Sequence, residues 1–96
     1  MRALIKNPED EGFRTIVVPN DLHVLQQLVG GPIETFTFAT DCCIICNEEG
    51  KIQNLPFNCV YCGIIFTGTI LLVGIDEDKF CDCPMSVTLA NGGIEA

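Results

Sequence analysis

The first third of the chain is patterned in short apolar runs broken by polar turns. Arg2-Ala-Leu-Ile-Lys6 and Phe13-Arg-Thr-Ile-Val-Val18 read as two strands joined through Asn7-Pro8-Glu9-Asp10-Glu11-Gly12, a hairpin-like start. Pro19-Asn20-Asp21 then signals a helix, with Asn20 or Asp21 as its N-cap. Within it Leu22, Val24, Leu25, Leu28 and Val29 recur at helical spacing, while His23, Gln26 and Gln27 take the other side. Gly30-Gly31-Pro32 stops the helix with a C-cap glycine and a proline. The spacing predicts a single short helix over residues 21–29.

Strand periodicity follows. Ile33-Glu-Thr-Phe-Thr-Phe38 alternates apolar and polar, as a half-buried strand does. Cys42–Cys46 is continuously apolar and reads as a buried strand, with Asn47-Glu48-Glu49-Gly50-Lys51 as its hairpin turn. No charge occurs from Ile52 to Ile75. That length admits a membrane-spanning helix, but Pro56, Gly63, Gly68 and Gly74 and the β-branched composition favour two buried strands separated by a turn. Thr69-Ile-Leu-Leu-Val-Gly74 is the clearest strand, Asp76-Glu77-Asp78-Lys79 a solvated turn, and residues 80–96 show no period. The expected fold is α+β: one domain over residues 1–96, with a small antiparallel or mixed sheet of about five strands and the helix packed on it.

Composition sharpens this picture. With 48% apolar residues in 96, the chain can build one packed core. Aromatic residues are only 7%, leaving few platforms for stacking bases. The net charge of −8 arises from 13 acids against five bases. Arg2, Lys6 and Arg14 balance Glu9, Asp10 and Glu11, so the imbalance belongs to residues 15–96, where only Lys51 and Lys79 are basic. Such a surface repels nucleic acid and anionic membrane and suits a basic partner. Met1-Arg2-Ala3-Leu4-Ile5-Lys6 lacks the apolar core of a signal peptide, so a cytoplasmic location is expected.

Several segments, taken in order, carry a resemblance. Leu25-Gln-Gln-Leu-Val-Gly-Gly31, Ile33-Glu34, Ile45-Cys-Asn-Glu-Glu-Gly-Lys51, Leu55-Pro56 and Gly68-Thr69 through Val73-Gly74 resemble the pattern of domain of unknown function 3846, a family of small proteins of phages and mobile elements in Gram-positive bacteria. The resemblance spans residues 1–78 and implies an intracellular, phage-coded α+β protein; it supplies no activity and no catalytic residues. Cys59 departs from it, standing where the family carries a basic or polar residue. The family's segment around Cys62 is longer and more polar, and the tail from Cys81 onward lies outside the pattern.

The sharpest candidate chemistry is Cys43-Ile-Ile-Cys46 and Cys59-Val-Tyr-Cys62, two Cys-x-x-Cys pairs twelve residues apart. Structural zinc is often held by two such knuckles on neighbouring hairpins. Direction argues against it: on a strand, Cys43 and Cys46 point to opposite faces and cannot grip one ion. The thiols are therefore expected to pack as small apolar groups, with no metal and no cofactor. An odd count of seven and no export signal argue against disulfides. His23 is the only histidine and Ser86 the only serine, so neither a Cys–His dyad nor a Ser triad can be assembled on paper, and an enzyme is not expected.

What remains is a binding protein. The leading expectation is a non-enzymatic phage or mobile-element accessory protein that binds a basic surface of a host factor and acts as an inhibitor of a host defence system, with Glu48, Glu49, Asp76, Glu77 and Asp78 as its acidic face. Mimicry of nucleic acid is one version, although 13 acids are sparse for copying a phosphate ladder. An oligomeric sponge for a small nucleotide signal and a zinc-stapled interaction module on Cys43, Cys46, Cys59 and Cys62 stand as alternatives.

Overall fold

The computed structural model describes residues 1–95. The elements run β1 (Arg2–Lys6), β2 (Arg14–Val17), α1 (Leu22–Val29), β3 (Ile33–Ala39), β4 (Cys42–Asn47), β5 (Phe57–Tyr61), β6 (Ile64–Thr67), β7 (Ile70–Asp76), β8 (Lys79–Cys81), α2 (Val87–Asn91) and β9 (Ile94–Glu95). Six strands form one sheet in the order β2-β1-β7-β4-β3, with β8 also paired to β7; β6-β5-β9 form a second. Every strand pairing is antiparallel. The class is α+β, but among the described residues the strands number nine rather than about five, and the helices two rather than one.

β7 is the spine because Ile70-Leu-Leu-Val73 is apolar on both faces and both faces are covered. Alternate residues go to different cores. Leu71 and Val73 join Ala3, Ile5, Val18, Cys43 and Ile45 under Leu25 and Val29 of α1. Ile70 and Leu72 join Leu4, Cys42, Ile44 and Cys46 on the opposite face, where Cys59, Tyr61 and Phe66 of the second sheet and Ala90 of α2 close over them. The layers are helix, six-stranded sheet, three-stranded sheet.

α1 starts where expected. Asp21 is its N-cap, accepting hydrogen bonds from the backbone N–H groups of His23 and Val24 at 2.8 and 3.3 Å. Gly30 ends it at φ 85°, the left-handed cap that glycine adopts without strain. Its buried face is narrower than the periodicity implied: Leu25 and Val29 are buried, whereas Leu22 is 54% exposed. Each of the two buried side chains contributes about 1.5–3 kcal/mol against remaining in water.

Three expectations are corrected. The Asn47–Lys51 segment is not a hairpin turn between neighbours, because β4 pairs with β3 and β7 while the chain beyond Lys51 crosses into the second sheet. The charge-free stretch holds three strands, not two. Cys62 and Gly63, at φ 48° and 81°, form a two-residue turn that folds β5 onto β6 before β7 begins. The third correction is the tail, which shows no period yet carries β8, α2 and β9. It is tied down by single long-range bonds: the Arg2 guanidinium donates to the carbonyls of Cys83 and Met85 at 2.6 and 2.8 Å. Asn91 Oδ1 accepts from the Phe13 N–H at 2.7 Å. The lone serine, Ser86, caps α2 through the Leu89 N–H at 3.1 Å.

No helix among the described residues is long and apolar enough to cross a membrane.

Candidate functional site

Where the two sheets end together, between the edge strands β3 and β6, lies a groove of about 300 Å³. Glu34 and Phe36 of β3 line one wall and Ile64, Ile65, Phe66 and Thr67 of β6 the other; Cys46, Asn47, Glu48 and Lys51 close its end. The two walls meet at an apolar floor, where Phe36 and Phe66 pack edge to face at 5.5 Å and 83°. Glu34, Glu48 and Lys51 are exposed at the rim. The charges of Glu34 and Lys51 are felt at Cys46. Burial pushes the Cys46 thiol from 9.0 up to about 11, Glu34 adding to the rise and Lys51 opposing it.

The end of the groove is held by an interlocked corner. Asn47 is buried; its Nδ2 donates to the Val29 carbonyl at 3.2 Å and to Gln53 Oε1 at 3.3 Å, and its Oδ1 accepts from the Glu49 N–H at 2.8 Å. The Glu48 N–H donates to the Pro32 carbonyl at 2.8 Å, the Leu55 N–H to Gly50 at 2.9 Å and the Gly68 N–H to Pro56 at 2.7 Å. A Cβ at Gly31 would stand 2.9 Å from Asn47 Nδ2, and one at Gly68 would stand 2.7 Å from Leu55 Cδ1. A side chain at either position would displace its neighbour, and Gly68 also holds a left-handed φ of 73° that favours glycine. These residues come from three separated stretches of sequence, 29–32, 47–56 and 68, and together they fix where Glu48 and Lys51 stand.

The five expected acidic residues do not share one face. β4 runs beside β7 with Cys42 opposite Gly74 and Ile45 opposite Leu71. Glu48 and Glu49 therefore lie past one end of the pair and Asp76, Glu77 and Asp78 past the other, more than about 20 Å away at roughly 3.4 Å per residue. All five are exposed. Asp76–Asp78 sit at the β7–β8 hairpin, where Glu77 and Asp78 take φ 48° and 68°. Glu34, which the sequence places on an alternating strand and among the segments of the family resemblance but outside the expected acidic face, is the carboxylate that accompanies Glu48. Nothing local marks it, because its pairing with the groove is made by β6, thirty residues on.

The bases are unevenly spent. Arg2 is engaged by the tail, and Lys6 is 3% exposed, its Nζ donating to Asn58 Oδ1 at 2.9 Å and the Asn7 carbonyl at 3.4 Å. Asn58 returns bonds to the carbonyls of Lys6 and Gly68 at 2.8 and 2.7 Å. Only Arg14, Lys51 and Lys79 remain exposed, so the surface is more acidic than the composition indicates.

Cys43 faces α1 while Cys46 faces the second sheet, so the first Cys-x-x-Cys pair is split across a sheet. Cys59 is buried in the same core as Cys46, and Cys62 is exposed in its turn. Among the described residues no three of His, Cys, Asp or Glu are grouped to hold a metal ion. All seven cysteines are free thiols. Burial pushes Cys42 from 9.0 up to about 12 and Cys43 up to about 11, and raises Cys59 and Cys83 as well. Thiols so protonated are poor nucleophiles and poor ligands. His23 is exposed on α1, across the six-stranded sheet from Cys62.

The family described as Domain of unknown function (DUF3846) matches residues 1–89. The chain belongs to this family. The match runs beyond residue 78, through the tail segment of β8 and into α2, which the sequence resemblance left out. No curated protein and no solved structure matches the chain. The segments that carried the resemblance supply most of the interlocked corner, and several of their residues (Gln27, Leu28, Val29, Gly30, Leu55, Pro56) line a second, shallower hollow of about 290 Å³ on its other side.

Proposed function

We propose that this protein is a non-enzymatic accessory protein of a phage or mobile element that works inside the host cell by binding a basic surface of a host protein, a defence factor being the expected class. The observation that carries the reading is the β3–β6 groove: an apolar floor under two exposed carboxylates, Glu34 and Glu48, with Lys51 as the one ammonium on its rim. Apolar area with opposite charge at its margin is the usual composition of a protein contact. The turning inward of Arg2 and Lys6 supports the same reading by leaving the outside acidic. Mimicry of a nucleic acid is the weaker version, since Glu48 and Glu49 stand far from Asp76–Asp78 and form no continuous run of charge.

The test is retention from host extract on immobilised protein at low and at moderate ionic strength. The reading expects one basic protein, released as salt rises, lost with Glu34→Lys/Glu48→Lys, and kept with Asp76→Lys/Asp78→Lys. Retention indifferent to the first pair would remove the groove from the account.

A further inference from the structure

We propose that the groove's occupant is an extended segment of the partner, bearing lysine or arginine, that adds as a strand to the outer edge of β6. The inference rests on the partner-binding reading and specifies how that contact is made.

β6 ends its sheet, and among the described residues β5 is its only neighbour. The two-residue turn at Cys62–Gly63 decides which backbone groups point outward. Across such a turn Tyr61 and Ile64 exchange both hydrogen bonds, and the next pair, Val60 with Ile65, exchanges none. The N–H and C=O of Ile65 are therefore turned away from β5, toward the side on which β3 stands across the groove. Nothing blunts this edge: Ile65 is 54% exposed, and neither a charge nor a proline occurs in Ile64-Ile-Phe-Thr67.

A strand laid about 4.8 Å beside β6 would turn alternate side chains inward over Phe36 and Cys46 and between Glu34 and Glu48. Those carboxylates exceed the single Lys51, which fixes the preferred charge of the inward positions as positive. The outward positions would extend the apolar face that Ile65 and Val60 begin. Main-chain bonds then supply affinity and the two carboxylates supply choice, as in other strand-addition contacts. The volume of about 300 Å³ fits the few inward side chains of a short strand better than a larger ligand. Of the other terminal strands, β2 carries an exposed Val17 but also Arg14, β3 carries Glu34, and β9 is only two residues long and carries Glu95.

The probe is a synthetic peptide of about six residues alternating lysine and valine, with two comparators: one N-methylated at alternate residues, and one with glutamate for lysine. Backbone amide shifts by NMR read the site. Expected are shifts centred on Ile64–Thr67 and Glu34, weakening by about five- to tenfold on N-methylation, the worth of one or two backbone hydrogen bonds, and none with the glutamate peptide. Ile65→Pro is the matching protein variant. Proline is tolerated at an edge position whose N–H faces outward, so its melting temperature should stay near that of the unsubstituted protein while peptide affinity falls by a similar factor.

Equal binding of the N-methylated peptide, shifts centred elsewhere, or no shift with any peptide would overturn strand addition. Self-association abolished by Ile65→Pro would overturn it too, by assigning the edge to a second copy of the chain. A host protein that ignores Ile65→Pro but is lost with Glu34→Lys/Glu48→Lys would remove strand addition and leave the partner-binding reading intact. One indifferent to both would remove that reading.

Discussion

The two faces of the six-stranded sheet are covered in different ways. Under α1 the core is aliphatic, built from Ala3, Ile5, Val18, Leu25, Val29, Ile45, Leu71 and Val73, with Cys43 as its one buried thiol. Against the small sheet the core holds four buried thiols, Cys42, Cys46, Cys59 and Cys83, and most of the aromatic rings, Phe13, Phe36, Phe38, Tyr61 and Phe66. There Tyr61 meets Phe13 and Phe38 edge to face at 5.7 and 5.6 Å. A buried ammonium, Lys6, is bound there only by amide oxygens. An eight-residue helix can settle onto a sheet with two side chains. A second sheet must match strand against strand, and here it covers one side of its partner while leaving the β3–β6 side open. The face with the more heterogeneous core is thus the one that presents the groove.

The largest test of this contrast is Asn58→Ala. It removes the Oδ1 that receives Lys6 and leaves a charge buried with one long carbonyl contact, so it should destabilise by about 3–5 kcal/mol in urea unfolding. Lys6→Met together with Asn58→Leu should recover much of that loss. A small effect of Asn58→Ala alone would mean that water reaches Lys6 and that this face is looser than described.

Alkaline pH comes next. In the folded protein Cys43 and Cys46 titrate near 11 and Cys42 near 12, against 9.0 when exposed. Between those values the unfolded chain releases protons that the folded chain retains, so stability is complete below about pH 9 and is lost as pH rises toward 11–12. Each fully shifted thiol contributes about 1.4 kcal/mol per pH unit in that window. Because two of these three thiols lie against the small sheet, Cys42→Ala/Cys46→Ala should flatten the alkaline transition about twice as much as Cys43→Ala does. The reverse order would place the titrating groups under α1.

The smallest expected effect is a gain. Cys62 holds a left-handed φ of 48° in a turn that favours asparagine before glycine. Cys62→Asn should raise stability by up to about 1 kcal/mol, read as a higher melting temperature, without touching either core.

How much of this was legible follows from where each signal resides. β1, α1, β3 and β4 declare themselves through local period and local caps: Asp21 lies one residue before α1, and Gly30 immediately after it. The split of Cys43 from Cys46 follows from strand alternation alone. The charge-free stretch misled because burial on both faces erases alternation in β7, and because a cysteine occupies a turn position usually held by asparagine. The tail is secured by Arg2, Asp82 and Asn91 across about eighty residues of separation, contacts that no periodicity records. The groove was half visible. Glu48 stood out in an acidic turn, but Glu34 gains its meaning only when β6 arrives opposite it, and the grouping of Glu48 with Asp76–Asp78 took nearness in charge for nearness in space.

The account depends on thiols that fill space on two sides of one sheet, and native-state alkylation with mass-spectrometric readout measures that directly. Under folding conditions Cys62 should react rapidly, while Cys42, Cys43, Cys46, Cys59 and Cys83 react only on global unfolding, at rates that a chelator does not change. Joint protection of Cys43, Cys46, Cys59 and Cys62 that a chelator releases would contradict it, because those four sulfurs would then be gathered on one ion instead of divided between two cores.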